Sequence, residues 1–388
     1  MTPAMMRAAV LAGDDPVLRL ERIPVPMPRS GEALLRVTAC GVCHTDLHVI
    51  KGEVGFPRPA VLGHEVSGRI VAFGDGTADT RGLEVGDEVV AGFIMPCEEC
   101  AECARGRDDL CTTFFAQNRL GGTLYDGHSR LAMPDGSFLA MYSMGALAEY
   151  AVVPLSALVA LPDGLDARTA CILGCSGMTA YGAVVRAGEV GAGATVAIVG
   201  VGGIGSSVVG MARAAGAARI VAVDIAADKL ARARELGTTH TVDASQGDPV
   251  AQVRALVGGV DVAFEALGRP ETFRQAVDML ADGGRMVAIG IAAGDAAAAV
   301  PITQLVRRSL QVVGSYGGRV RTDLPEVVRL AATGAFDPAA FVSREYALDD
   351  VDAAYRALAR GEIVGRAVIT MDGPAAPRTG SETEGVLA

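Results

Sequence analysis

Lysine is almost missing from this 388-residue chain: it occurs only at Lys51 and Lys229, and every other basic residue is arginine or histidine. With so much Ala and Gly, that bias reads as the mark of a high-GC genome and says little about function. Positive charge is short overall. The chain has 34 Lys and Arg against 45 Asp and Glu, a formal net charge of −11. An anionic surface of that kind argues against nonspecific binding to nucleic acid or to anionic membranes and leaves only local basic pockets. Also missing is any window of about 18 residues that is apolar and uncharged, as a membrane-spanning helix requires. The start, Met1 to Asp15, has Arg7 but no apolar run long enough for a signal peptide. No internal repeat is apparent. The expectation is a soluble cytoplasmic protein with reduced thiols, without nucleic-acid or membrane partners. What is present is a globular composition, 50% apolar and 20% charged, which excludes disorder along the whole chain. At about 150 residues per domain the length suggests two or three domains.

The texture of the sequence changes twice. Up to about residue 175 it reads as β-rich: Ala33–Ala39, Glu65–Phe73, Glu88–Phe93 and Ala148–Val153 are short apolar or alternating runs between Gly, Pro and Asp turns. From 176 to 315, apolar strands at Thr195–Val199, Arg219–Val223, Val260–Glu265 and Arg285–Ile289 alternate with Ala-rich helical stretches. That alternation predicts βαβ units and a parallel sheet. Residues 316–371 return to mixed texture and end in a strand, Arg366–Thr370. The 372–388 tail has the Gly/Pro/Ser/Thr/Glu composition of a disordered segment. The simplest layout is an α/β protein in which a parallel-sheet domain, 176–315, is inserted between two pieces of a β-rich domain, 1–175 and 316–371.

Directly after Thr195–Val199 comes Gly200-Val201-Gly202-Gly203-Ile204-Gly205, and a helical pattern begins there. This is GxGxxG in strand–turn–helix context. Gly200 permits a tight turn, Gly202 lets the backbone approach a pyrophosphate, and Gly205 lets helix and strand pack closely. Asp224, at the end of the next strand, is placed to accept hydrogen bonds from a ribose and to repel a 2′-phosphate. That predicts NAD rather than NADP.

The eight cysteines are an even number, but four disulfides belong to small secreted chains. Four of them, Cys97, Cys100, Cys103 and Cys111, fall within 15 residues. Four thiolates at this spacing suit a closed, structural zinc site. Disulfides and an iron–sulfur cluster are the alternatives, and the spacing alone does not exclude the cluster. More dispersed, Cys43 in Gly41-Val42-Cys43-His44-Thr45-Asp46, His64 in Gly63-His64-Glu65, and Cys175 would give zinc two sulfurs, one imidazole and an open position, which is a catalytic arrangement. By spacing alone the case is weak, because a buried Cys or His is more often a packed core residue.

Together these motifs, with Gly174-Cys175-Ser176-Gly177-Met178-Thr179 and Gly365-Arg366, resemble the zinc-dependent alcohol dehydrogenases of the medium-chain dehydrogenase/reductase superfamily, over about residues 5–371. The resemblance implies a GroES-like β-domain carrying a Rossmann domain, with NAD and two zinc ions per chain, one catalytic and one structural. It implies that Cys43, His64 and Cys175 hold the catalytic zinc, that Asp46 orients His64, and that Glu65 approaches the metal during ligand exchange. Thr45 corresponds to the hydroxyl at the substrate oxygen and His48 to the outer end of a proton relay. His44 and Arg366 correspond to pyrophosphate contacts, and Lys229 to a residue beside the adenosine ribose. Thr179, Ile204, Ile289 and Ile291 correspond to the nicotinamide pocket, and Phe93 to the substrate channel. Cys40 and Cys171 have no matched role and read as packing; His128 and His240 are given no function.

The activity so implied is hydride transfer between NAD and a primary alcohol, aliphatic or aromatic. The segment Leu120–Gly145 resembles the longer loop of the dimeric branch, which includes thiol-adduct formaldehyde dehydrogenases, and favours a homodimer over a tetramer. The rival functions are a thiol-adduct formaldehyde dehydrogenase, a zinc-free reductase of activated double bonds, and a zinc- and NAD-binding protein without catalysis.

Overall fold

The computed structural model describes residues 2–13, 15–292 and 294–373. Nearly all of the tail predicted to be disordered therefore lies outside the described residues. Three sheets organise the chain. One has six strands, all parallel, in the order His240–Asp243, Arg219–Asp224, Thr195–Val199, Val260–Glu265, Leu280–Ala288, Gln311–Gly314. Its central strands are β-branched and apolar at nearly every position because helices cover both faces. Thr195–Val199 is buried along its whole length. The strand order reverses on either side of Thr195–Val199. In a doubly wound sheet, that reversal opens a crevice beyond the carboxyl ends of the strands.

Local chemistry sets the element ends. Asp248 caps the helix Pro249–Val257 by accepting from the Val250 amide, Pro249 opens it, and Gly258 closes it in a left-handed conformation. The parallel strand expected at Arg285–Ile289 begins earlier, at Leu280, and ends at Ala288. The strand expected to reach Phe93 stops at Ala91. There the Gly92 amide donates to the Ala157 carbonyl and the Phe93 amide to the Gly174 carbonyl, so the chain leaves the sheet.

The rest is β-rich. A five-stranded sheet contains Met5–Leu11 and Leu18–Pro24, and a seven-stranded sheet is built around the long strand Glu32–Val42. The last strand, Arg366–Thr370, runs antiparallel to Glu32–Val42 and parallel to Val342–Ala347. After the parallel sheet the chain thus returns to the seven-stranded sheet built on Glu32–Val42. Short helices interrupt the β-rich part where the sequence showed only strands and turns. His44–Ile50 follows the long strand, and a π-helix, Phe114–Leu120, follows the four-cysteine loop. Among the described residues no single helix is long and apolar enough to cross a membrane.

A tight packing constraint lies at the head of the helix Gly203–Ala214. A Cβ on Gly205 would stand 1.9 Å from the Gly200 carbonyl oxygen, which belongs to backbone and cannot rotate away. Gly205→Ala is therefore expected to destabilise the fold by about 2–3 kcal/mol. Denaturant unfolding checks this, and an unchanged midpoint would show that the turn yields.

Candidate active site and metal centres

The first site forms where three segments meet. Cys43 ends the long strand's extension and stands just before the helix His44–Ile50. His64 and Glu65 precede the strand Val66–Phe73. Cys175 stands immediately before the helix Ser176–Tyr181. One ligand atom from each of Cys43, His64, Glu65 and Cys175 lies within 4.8 Å of all the others. His64 and Glu65 are fully buried and the two thiols nearly so.

Asp46 organises this point. Its Oδ1 accepts from His64 Nδ1 at 3.0 Å and from the Gly63 amide at 3.2 Å, and its Oδ2 accepts from the Tyr355 hydroxyl at 3.0 Å. With Nδ1 donating to a carboxylate, His64 turns Nε2 toward the thiols. That Nε2 is buried and has no hydrogen-bond partner. Burial works against a protonated His64, but the Asp46 carboxylate and then Cys43 outweigh it and push the imidazole up to about 9. The hydrogen bond between the two thiols holds Cys43 well below its ordinary value and Cys175 well above. A site that favours positive charge on Nε2 and a thiolate beside it fits a divalent cation held by sulfur and imidazole.

Glu65 does not stand alone. Its Oε1 accepts a close hydrogen bond from Arg366, a pair almost completely buried. The same guanidinium reaches the glycine turn: a Cβ on Gly203 would meet Arg366 Nη1 at 3.0 Å. Arg366 therefore joins the metal-ligand cluster to the head of the parallel sheet. Thr45 lies beside the cluster, its hydroxyl 3.6 Å from Cys43 Sγ. His48 is half exposed, with Nδ1 in close contact with Glu53. His44 is exposed at the surface of its helix. Desolvation lowers its pKa, and the charges of Arg366 and Lys229 add to that against an opposing pull from Cys43.

The glycine turn occupies three different steric situations. Gly200 has φ +88°, Gly205 is pressed against the Gly200 carbonyl, and a Cβ on Gly202 would meet nothing within 4 Å. The helix Gly203–Ala214 has no side chain capping its first amides, which leaves donors for an anion. Asp224 Oδ2 accepts from the Val201 amide at 2.9 Å, and Oδ1 accepts from the amides of Ile225 and Ala226. Across the switch point, the buried Glu265 accepts from Leu267, Gly268 and the Thr272 hydroxyl and shapes the opposite lip. Thr179 and Ile204 stand half-buried at the starts of the two adjoining helices. Ile289 is partly buried after its strand, and Ile291 is exposed.

Aromatic rings wall the space beside His64. Phe93 and Tyr142 meet its imidazole edge-on, with centroids 5.9 and 6.1 Å away. Tyr316 packs against both Phe93 and Phe115.

The second site is the four-cysteine loop. The sulfurs of Cys97, Cys100, Cys103 and Cys111 share one cluster, with Cys100 and Cys111 4.0 Å apart. A zinc–thiolate tetrahedron with bonds of about 2.3 Å has edges of roughly 3.8 Å, while a disulfide needs about 2.05 Å. All eight cysteines are free, so the disulfide alternative does not describe this loop. Amides of Cys97, Cys100, Cys103 and Phe114 point at the sulfurs. Burial opposes ionisation of Cys100, but donors from Cys103 and Thr112 overcome it and bring the thiol down to about 6. Cys40 and Cys171 are the opposite case: burial raises both, and both pack as neutral thiols.

Three residues of this region escaped the sequence reading. Tyr355 and Glu265 act through hydrogen bonds that no motif announces. Arg119 lies in the π-helix, with its charge over the rings of Tyr142, Phe114 and Phe93.

Residues 29–163 match the alcohol dehydrogenase GroES-like domain family and residues 203–333 the zinc-binding dehydrogenase family. A probable S-(hydroxymethyl)glutathione dehydrogenase 1 of Schizosaccharomyces pombe is 34% identical over 377 residues, 95% of this chain and 97% of its own. The crystal structure of an alcohol dehydrogenase zinc-binding domain protein from Burkholderia ambifaria superposes with a TM-score of 0.89 at 32% identity. It covers 96% of this chain and 99% of the other. Benzyl alcohol dehydrogenase from Acinetobacter calcoaceticus gives 0.87 at 30%, covering 94% and 99%. Converging metal ligands, a GroES-like domain, a doubly wound sheet and similarity along nearly the whole chain give one conclusion: this chain belongs to the zinc-type medium-chain alcohol dehydrogenases, a family of oxidoreductases.

Proposed function

We propose that this enzyme oxidises a primary alcohol, or reduces the matching aldehyde, with NAD. The observation that carries this reading is the meeting of Cys43, His64 and Cys175 around the unpartnered His64 Nε2, joined through Glu65 and Arg366 to the glycine turn. Those three residues would hold the catalytic zinc, and Cys97, Cys100, Cys103 and Cys111 the structural one. The pyrophosphate would lie at Gly202 and the helix start, with His44 and Arg366, and the adenosine ribose between Asp224 and Lys229. The nicotinamide would face Thr179, Ile204, Ile289 and Ile291. When bound, zinc supplies a Lewis acid that lowers the pKa of an alcohol, and NAD supplies the hydride acceptor.

The protein's own residues do the rest. Asp46 fixes the ring of His64, and Tyr355 fixes Asp46. The Thr45 hydroxyl, beside Cys43, hydrogen-bonds the substrate oxygen. His48, at the protein surface beside Glu53, passes the proton to solvent. Phe93, Tyr142 and Tyr316 keep water from the reacting carbon. Glu65, paired with Arg366, stands ready beside the ligands. The loop resemblance supports a homodimer.

A second reading has a specific support: curated relatives matched along nearly the whole chain carry the name S-(hydroxymethyl)glutathione dehydrogenase. Formaldehyde oxidation that requires added glutathione would select it over a plain alcohol dehydrogenase. A zinc-free double-bond reductase would have no use for three converging ligands.

Zinc content separates the two metal sites. Wild type is expected to hold two zinc ions per chain. Cys43→Ala or Cys175→Ser is expected to lose one of them. Turnover should then fall by more than the roughly 10–100-fold typical of outer-shell changes, with the unfolding midpoint kept. Near-normal alcohol oxidation in either variant would sink the mechanism. Cys103→Ala is expected to lose the other ion and several kcal/mol of stability, because a closed site contributes to folding.

Asp224→Ala is expected to lower the ratio of kcat/KM for NAD to that for NADP by roughly 10–100-fold, the worth of charge-assisted hydrogen bonds. Steady-state kinetics with both cofactors checks it. An unchanged ratio assigns cofactor choice to another group.

A further inference from the structure

The helix Val320–Ala332 begins without a cap of its own. Arg319, the residue before it, makes no side-chain hydrogen bond to the first turn. A capping side chain accepts from the second or third amide of a helix. Here the second amide, that of Arg321, donates to Asp108 Oδ2 at 3.0 Å, and Asp108 lies 213 residues away in the chain. It stands between the third and fourth cysteines of the four-cysteine loop. Side chains close the contact. Arg321 Nε donates to Asp108 Oδ1 at 2.9 Å, and Arg321 Nη2 donates to the Cys103 carbonyl at 2.6 Å. Asp108 is 1% exposed, so its charge depends on these donors.

The helix start is also the far anchor of a glycine-rich span. At the near end the Ser315 amide donates to the Ala288 carbonyl of the parallel sheet at 2.9 Å. At the far end the Arg319 amide donates to the buried Asp323 Oδ2 at 2.8 Å. Between them stand Tyr316, Gly317 and Gly318. Gly317 takes φ +59°, and a Cβ on it would meet Ile94 at 2.8 Å and Phe93 at 3.0 Å. Two glycines give the span little rigidity of their own. Nor is it packed solid: a cleft of about 210 Å³ runs along Ser315–Arg319, lined also by Arg107, Asp109, Gly182 and Arg186. Tyr316 is nevertheless held ring to ring, 5.9 Å from Phe93 and 5.7 Å from Phe115 between centroids. Phe93 in turn touches the His64 imidazole. Phe115 follows the last cysteine of the loop, and its amide donates to the Cys111 carbonyl. The four-cysteine loop therefore bears on Tyr316 twice, through the ring of Phe115 and through Asp108 and Arg321.

We propose that Arg321 is a positioning residue: paired with Asp108, it fixes the start of its helix and so the place of Tyr316, and the four-cysteine loop thereby sets which alcohols the aromatic wall accepts. The proposal rests on the alcohol-oxidoreductase reading. It adds to the loop a task that stability alone does not require. Arg321 acts through Tyr316 and takes no part in the reaction. An alcohol that carries a ring gains from edge-on contact with Tyr316 and Phe93, whereas a two-carbon alcohol does not. Loosening the anchor lets Tyr316 recede toward the cleft, and only the ring-bearing substrate loses by it.

The test uses the full-length zinc enzyme with NAD. kcat/KM is measured for benzyl alcohol and for ethanol in wild type, Arg321→Met, Arg321→Lys, Asp108→Asn and the double variant Asp108→Asn/Arg321→Met. Arg321→Met is expected to lower the benzyl-to-ethanol ratio by roughly 3–10-fold, the worth of one aromatic contact, through the KM for benzyl alcohol. Arg321→Lys keeps a charge opposite Asp108 but not the planar fork, so it should fold where the Met variant does not and show a smaller shift of the same sign. The double variant should shift the ratio no further than Arg321→Met alone, because the two residues act as one unit. Zinc content should stay as in wild type, since Arg321 supplies no ligand. A second readout needs no turnover. The chain has no tryptophan, so Tyr316→Trp places a single reporter in the wall. Adding Arg321→Met or Arg321→Lys to it should move the emission to longer wavelength and strengthen quenching by acrylamide. An unchanged or raised ratio, an equal loss on both alcohols, additive effects in the double variant, loss of zinc in Arg321→Met, or a reporter blind to Arg321 overturns the proposal. Failure of wild type to exchange hydride between NAD and any alcohol or aldehyde instead defeats the oxidoreductase reading, and the tryptophan emission still decides whether Arg321 positions residue 316.

Discussion

The fully buried hydrogen bond between Asp46 and His64 is the constraint on which the site depends. A carboxylate taken out of water must have its lone pairs met, or it costs several kcal/mol. Here three donors from two distant parts of the chain meet them: the imidazole of His64 and the amide of its neighbour Gly63, and the hydroxyl of Tyr355. Tyr355 comes from the helix Val351–Ala359, after the parallel sheet. Satisfying one carboxylate therefore requires the chain to come back to where it began. The same bond fixes which imidazole nitrogen faces the thiols.

The second buried pair extends this logic across the molecule. Arg366 begins the strand that closes the β-rich sheet, and its guanidinium lies between Glu65 and Gly203. Glu65 belongs with the candidate metal cluster and Gly203 opens the helix that follows the glycine turn. The protein is acidic as a whole, yet Arg366 and Lys229 are both close enough to act on His44, at the side where a pyrophosphate would lie. Net charge governs the surface at large, while a few cations in a crevice govern which anion enters it.

Legibility in the sequence followed distance along the chain. Thr195–Val199, the glycine turn and Asp224 were readable because strand, turn and acid succeed one another within one βαβ unit. The clustering of the four-cysteine loop was readable because its thiols sit within 15 residues. Cys175 is far from Cys43 and His64 along the chain, so spacing alone left their grouping weak against core packing, and the family resemblance was needed to prefer it. Tyr355 lies 309 residues from Asp46, and nothing around it marks it as more than one apolar-face residue of a helix. Glu265 read as the end of a strand, because the turn whose amides it caps takes its shape only in three dimensions. The parallel sheet likewise followed from alternating texture, whereas its strand order and the π-helix at Phe114–Leu120 had no signal in the sequence.

The unsatisfied groups locate the function as well as the motifs do. Buried polar atoms in folded proteins nearly always have partners, because an orphan forfeits hydration and gains nothing in return. Among the described residues the buried side-chain atoms without one are His64 Nε2, Glu65 Oε2, Arg366 Nε, the three nitrogens of Arg119, and Thr238 Oγ1. All but the last surround one place. Random imperfections would be scattered through the core, and these are not. The orphans there also differ in kind: an imidazole nitrogen beside thiols suits a metal, while a guanidinium among aromatic rings suits an anion. A site with unmet polar demand of both signs is one whose hydrogen bonding is left for bound groups to complete. The fold satisfies its polar atoms almost everywhere else and leaves these for the groups it binds.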